Sequence, residues 1–292
     1  MIFARPHKPL RKKIRTARVK TEDLVKVDPQ QEGESLEKIE VLNEGELRAV
    51  ALLGESPNVF IATIPKSGTH LLFKTLGLIT GQTLDFFSHK SPSREFFGKH
   101  ICEMSYWAHF FNPHWADAYL ADERWRTIVL FRDPRDTIVS QIRWILDADH
   151  TWGHSLNQEG FEHFVSLSHD ERIAFLIHAP WGESLFVKEV LKYRERPRVF
   201  SLRFEDLVGP LGGGDLTLQK NSVKELGAFI GYELNDATVE TISSQLFGGT
   251  STFREGKIGS WKSCFSEENK KLFKEYMGDA LIKLGYETGC DW

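Results

Sequence analysis

The run from Val59 to Ile64 carries no charge and stops at Pro65. It then passes through Lys66, Ser67, Gly68, Thr69 and His70 into Leu71, Leu72, Leu76 and Ile79, which recur at helical spacing. A short uncharged run rich in β-branched and aromatic residues reads as a buried strand, and the periodicity after it reads as a helix. A strand that turns straight into a helix aims the helix's N-terminal amides at whatever occupies the turn, which suits an anion. The elbow residues fit that use. Gly68 lets the backbone approach closely, Lys66 supplies a full positive charge, and Ser67 and Thr69 supply hydroxyls and cap the helix. Taken alone, such an elbow more often binds phosphate than serves as a plain strand-to-helix turn.

Trp125 to Phe131 reads as a second buried strand stopped by Pro134, and Arg198 to Phe204 as a third. Helical patterns cover Thr137 to Leu146, parts of Phe161 to Arg196 broken at Pro180, Ser222 to Ile230 and Asn235 to Phe247. A last helix runs through Phe273, Met277, Leu281 and Leu284, and Glu44 to Leu53 reads as a helix ahead of the first strand. Alternating strands and helices predict an α/β fold: one domain with a central parallel sheet flanked by helices on both faces. Ligands of open parallel sheets sit beyond the carboxyl ends of the strands, so Lys66 and Arg132 should face one crevice.

Arg132, Asp133, Pro134, Arg135 and Asp136 follow the second strand. Asp136 can cap the next helix, which would place Ser140 about one turn inside it and directed back toward Arg132. An arginine fork with a hydroxyl holds a phosphate well, and an Arg-Asp structural lattice is the alternative. Phe253 to Lys262 is basic and punctuated by Gly256 and Gly259, with Trp261 as an aromatic anchor. Such a loop can fold over an anion or simply lie pinned at the surface.

Together, in this order and spacing, the three motifs resemble the sulfotransferases that use 3'-phosphoadenosine 5'-phosphosulfate (PAPS), over roughly Val59 to Tyr286. The resemblance implies a P-loop-type nucleotide-binding fold and transfer of a sulfonyl group to a hydroxyl or amine of a small-molecule acceptor. PAP would be the product, and no metal is implied. It places the 5' end of PAPS on Lys66, Ser67, Gly68, Thr69 and His70, and the 3'-phosphate on Arg132 and Ser140, with Arg254, Glu255 and Gly256 completing the grip. It also implies a catalytic His before the Arg132 strand. His109 suits the spacing, with His100, His114 or a carboxylate as alternatives, and Lys66 and Ser140 join His109 as catalytic residues. Three departures stand out. Leu71 and Leu72 occupy the place of an adenine-stacking Trp, so Phe204 or Phe247 is expected to hold the base. Glu255 replaces a Lys. Of a dimer signature that would fall on Lys262, Ser266, Glu267 and Lys271, only Lys262 matches. Phe86, Tyr106, Trp107, Phe110, Trp152 and His154 are candidates for an acceptor pocket, although such residues are more often core.

Composition narrows the alternatives. A net charge of only -4 attracts no nucleic acid globally, and no apolar run is long enough for a membrane helix. Three cysteines, Cys102, Cys264 and Cys290, share no metal-ligand spacing and suggest a reducing, cytoplasmic setting. Residues 1–40, basic and then acidic, read as a flexible arm ahead of a domain over 41–292; oligomeric state is left open. A P-loop kinase is the rival enzyme, but Lys66 precedes Gly68 and no Gly lies in the five residues before Lys66. A nucleotide-binding protein without turnover is the non-enzymatic rival.

Overall fold

The computed structural model describes residues 49–51, 58–80, 106–109, 125–147, 158–179, 183–249 and 255–292. Its centre is a parallel sheet of four strands in the order β3-β2-β4-β5. These are β2 (Asn58–Thr63), β3 (Tyr106–His109), β4 (Trp125–Phe131) and β5 (Val199–Arg203). A small antiparallel pair joins β1 (Ala49–Ala51) to β6 (Tyr232–Leu234).

Side chains alternate across a strand, and here the alternation feeds two cores. Phe60, Ala62, Val129 and Phe131 face α2 (Pro134–Asp147), α4 (His169–His178), α5 (Glu183–Tyr193) and α9 (Glu267–Leu284). Val59, Ile61, Ile128 and Leu130 face α1 (Thr69–Thr80), α7 (Leu216–Phe229) and α8 (Asp236–Gln245). Both faces are thus covered, which is why β2 and β4 read as continuous apolar runs. The short helices α3 (Gln158–Ser166) and α6 (Phe204–Leu207) complete the order. Polar side chains set several starts: Ser168 and Glu171 form a capping box for α4, Asp215 caps α7 and Asn235 caps α8.

Two expectations are corrected. Ala49 to Ala51, expected in a helix, forms a strand because β6 supplies backbone partners that local propensity does not reveal. Helix α2 begins at Pro134 rather than after Asp136, since proline suits the first helical position. Ser140 therefore lies deeper in the helix than expected. Among the described residues, no helix is long and apolar enough to cross a membrane.

Candidate functional site

Strand β2 gives way to the elbow Ile64 to Gly68, and β4 to the loop Arg132 to Asp133; the two strands are adjacent and parallel, with Thr63 paired to Leu130. Both turns therefore open at the same edge of the sheet. The Leu130 carbonyl ties them together, accepting from Ile64 N–H at 3.1 Å and from Ser67 Oγ at 3.3 Å. Ser67 also donates to the Ile64 carbonyl at 2.7 Å, and Thr69 Oγ1 donates to Thr63 Oγ1 at 2.9 Å. Both hydroxyls thus give their protons to the protein and retain lone pairs. The donors at the elbow that suit an anion are Lys66 and the amides that open α1. Ser67 N–H is already spent on the Ile64 carbonyl at 3.1 Å, and Leu72 N–H donates to the Gly68 carbonyl at 3.0 Å as the helix begins.

The turn is sharp enough to require left-handed backbone at Lys66, with φ 67°, and at Gly68, with φ 99°. A Cβ on Gly68 would sit 2.6 Å from Phe204 Cδ2. Gly68→Ala is expected to destabilise the protein by about 2–4 kcal/mol, from the left-handed backbone plus the overpacking. An unchanged urea midpoint would show that the elbow and Phe204 move apart freely. The Lys66 ammonium lies 5.4 Å from the centre of the Trp144 ring on α2. Burial, and after it the Lys66 charge, hold His70 below the ordinary imidazole range, leaving it neutral at physiological pH.

Arg132 is buried over the Phe204 ring at 4.3 Å. Its Nη2 donates to the Lys257 carbonyl at 2.6 Å and to Asp136 at 3.5 Å, while its buried Nε has no hydrogen-bond partner among the described residues. Asp136 serves here as an acceptor rather than as the expected helix cap. It takes Gly259 N–H at 2.7 Å and Trp261 N–H at 2.9 Å. Burial raises its pKa, opposed by Arg132 and those two amides. The second and third motifs are thereby one hydrogen-bonded unit, and Gly256 and Lys257 are drawn beside Arg132. Glu255 turns to Arg143 of α2 at 2.7 Å. Trp261 anchors the loop in the core, as its sequence context suggested.

His109 ends β3 with its backbone paired to Thr63, three residues before Lys66 in the chain. Four strand ends thus meet at one edge: Thr63, His109, Phe131 and Arg203. Phe247 follows α8, near the carbonyl of Gly248 that accepts from Lys74 Nζ of α1 at 2.9 Å. Arg254, Phe86, Phe110, Trp152 and His154, and the alternatives His100 and His114, lie outside the described residues. Tyr106 and Trp107 fall on the described backbone of β3.

A family model, the sulfotransferase domain, matches residues 56–285. The chain belongs to the sulfotransferase family. Sulfotransferase 6B1 of Mus musculus and that of Homo sapiens are each 27% identical to it over 186 residues. That match takes in 56% of this chain and 55% of each relative, so the chain spans about half the length of the curated relatives it matches. Mouse sulfotransferase SULT7A1 complexed with PAP superposes with a TM-score of 0.58 at 17% identity, covering 79% of this chain and 89% of that one. Retinol dehydratase complexed with retinol and PAP gives 0.51 at 17% identity, covering 77% and 81%. At such identities the agreement is one of fold: an α/β sulfotransferase fold of the P-loop type.

Within this sulfotransferase site one carboxylate escaped sequence reasoning. Glu205, partly buried just after β5, accepts Asp133 N–H at 3.0 Å and the Tyr286 hydroxyl at 2.9 Å. Desolvation pushes its pKa up from 4.5 to about 7, outweighing those bonds and Arg132. Below pH 4.5 the group is protonated in the folded and unfolded chains alike. Between there and about 7 the folded protein retains a proton that the unfolded chain releases, so stability falls as pH rises; above about 7 the cost is complete. Relative to Glu205→Gln, the wild type is expected to lose on the order of 2 kcal/mol between pH 5 and 8. Parallel pH dependences for the two proteins would contradict this.

Proposed function

We propose that this chain transfers the sulfonyl group of PAPS to a hydroxyl or amine of a small-molecule acceptor, leaving PAP. The observation that carries the reading is the convergence of the Lys66 elbow and the Arg132 loop at one sheet edge, with Phe204 touching both. The residues fit a nucleotide charged at both ends. Lys66 and the α1 amides suit the 5' end, with Ser67, Gly68, Thr69 and His70 shaping that turn. Arg132 has a buried Nε without a partner among the described residues, which suits the 3'-phosphate. Ser140, Gly256 and Arg254 are the further candidates there. Glu255 engages Arg143, so the 3' end relies on Arg132. Phe204 already carries Arg132 and abuts Gly68, which makes Phe247 the candidate for the adenine.

When bound, PAPS supplies an activated sulfonyl group. Lys66 places positive charge where negative charge grows during transfer, a preorganised form of stabilisation. At rest its ammonium lies against Trp144, one turn along α2 from Ser140, and leaving the ring for the elbow would bring it into play. His109 is the general base that takes the acceptor's proton, and imidazole suits that task near neutral pH.

Thermal shift with PAP against Mg-ATP tests the nucleotide, and mass spectrometry of an acceptor panel with PAPS tests the transfer. Retinol and androsterone, present in the retinol dehydratase complexes, head that panel. PAP is expected to stabilise the protein more than Mg-ATP does. The reverse order would favour the kinase reading, and tight PAP binding without any sulfonated product would favour a binding protein.

A further inference from the structure

Helix α9 ends at Gly285, whose φ of 82° turns the chain back so that Tyr286 N–H reaches the Leu281 carbonyl at 2.9 Å. The segment after that turn converges on the Arg132 loop. Tyr286 donates to Oε2 of Glu205, while Oε1 of the same carboxylate accepts Asp133 N–H. Glu287 accepts from Arg135 Nη1 at 2.6 Å. The Arg135 guanidinium grips Asp133 in return, Nε to Oδ1 at 2.9 Å and Nη2 to Oδ2 at 2.7 Å. Its remaining surroundings are aromatic, with Trp261 at 3.9 Å and Trp292 at 4.3 Å from its central carbon. The two indoles meet edge to face at 5.4 Å, and Trp292 is braced by Phe273 and by Lys274 of α9.

Asp133 is therefore held at both ends. Its backbone N–H is fixed through Glu205 and Tyr286, and its carboxylate through Arg135, Glu287 and Trp292. Asp133 directly follows Arg132, so its placement sets the backbone from which the Arg132 guanidinium extends. Arg135 is 2% exposed, and a buried cation that loses a carboxylate or an aromatic wall must move or admit water. Either response releases Asp133.

We propose that Tyr286, Glu287 and Trp292 are positioning residues for the 3'-phosphate site at Arg132, the segment beyond Gly285 acting as a strap across the loop. This rests on the PAPS reading above. Its consequence is selective, because the hydrogen bonds of the strap run to the side chains that hold Asp133 in the Arg132 loop. Strap variants should lose affinity for a nucleotide bearing a 3'-phosphate and keep affinity for one without it.

The experiment measures binding of PAP and of AMP by isothermal titration calorimetry to the full chain and its Glu287→Gln, Trp292→Ala, Trp292→Phe and Tyr286→Phe variants. Glu287→Gln and Trp292→Ala are expected to lower the PAP/AMP affinity ratio about tenfold, the scale of disturbing a buried charge partner indirectly. Trp292→Phe, which keeps an aromatic wall, should restore most of it. Tyr286→Phe provides a milder variant that still reports if Trp292→Ala fails to fold. Equal losses for PAP and AMP would mean that the strap merely stabilises the fold, and unchanged ratios would mean that it does not position Arg132; either overturns the proposal. A wild type that shows no preference for PAP over AMP would instead overturn the functional reading itself.

Discussion

Lys66→Ala is expected to lower kcat for sulfonyl transfer by about 10²- to 10³-fold, the usual loss when one preorganised charge-stabilising donor is removed. Lys66 sits in left-handed backbone at the turn where β2 becomes α1, so its side chain leaves the chain at a point held by Ser67 and Leu130. The ammonium at its end lies 5.4 Å from the centre of the Trp144 ring. The change should therefore act on the chemical step, with PAP affinity falling by less than kcat. Lys66→Arg keeps charge but alters reach, and should fall between the two. Stopped-flow or mass-based turnover with PAPS, alongside PAP titration, checks this. Wild-type turnover in the alanine variant would remove Lys66 from the mechanism.

His109→Ala should cost about 10²- to 10⁴-fold in turnover, the range for a positioned general base. The strand end that carries it pairs with Thr63, so the substitution is made on backbone anchored to the elbow strand. PAP binding should survive. Full turnover in the variant would transfer the role to His100 or His114.

The strands β2 and β4 were legible because burial on both faces leaves a long apolar signature, and the edge strand β5 because Val199, Phe200 and Leu202 still stand out in a polar stretch. The meeting of the elbow and the Arg132 loop at one sheet edge was legible because both follow strands that the pattern makes parallel. The strand at Ala49 to Ala51 was not, since its pairing with Tyr232 to Leu234 comes from a distant part of the chain. Asp136 was misassigned because Pro134 looked like the end of a strand when it was the first residue of a helix. Glu205 and Tyr286 carry no local pattern that marks them. Their positions follow from a fold that brings residue 286 back against the loop at 133, and only the nearness of Glu205 to the end of the third strand hinted at a place near the site.

The shared use of the Leu130 carbonyl by Ile64 and Ser67 has a mechanical meaning. The gap between the elbow and the Arg132 loop is set by neighbouring strands, about 4.8 Å apart in any sheet, and by the main-chain bond from Ile64 to Leu130, which survives any replacement but proline, with the Ser67 hydroxyl adding a second tie. The protein carries a rigid ruler. If the proposed nucleotide is held at both turns, substitutions there can change how firmly either end is gripped, but accepting a molecule with its charges at another separation would require prying the sheet itself apart.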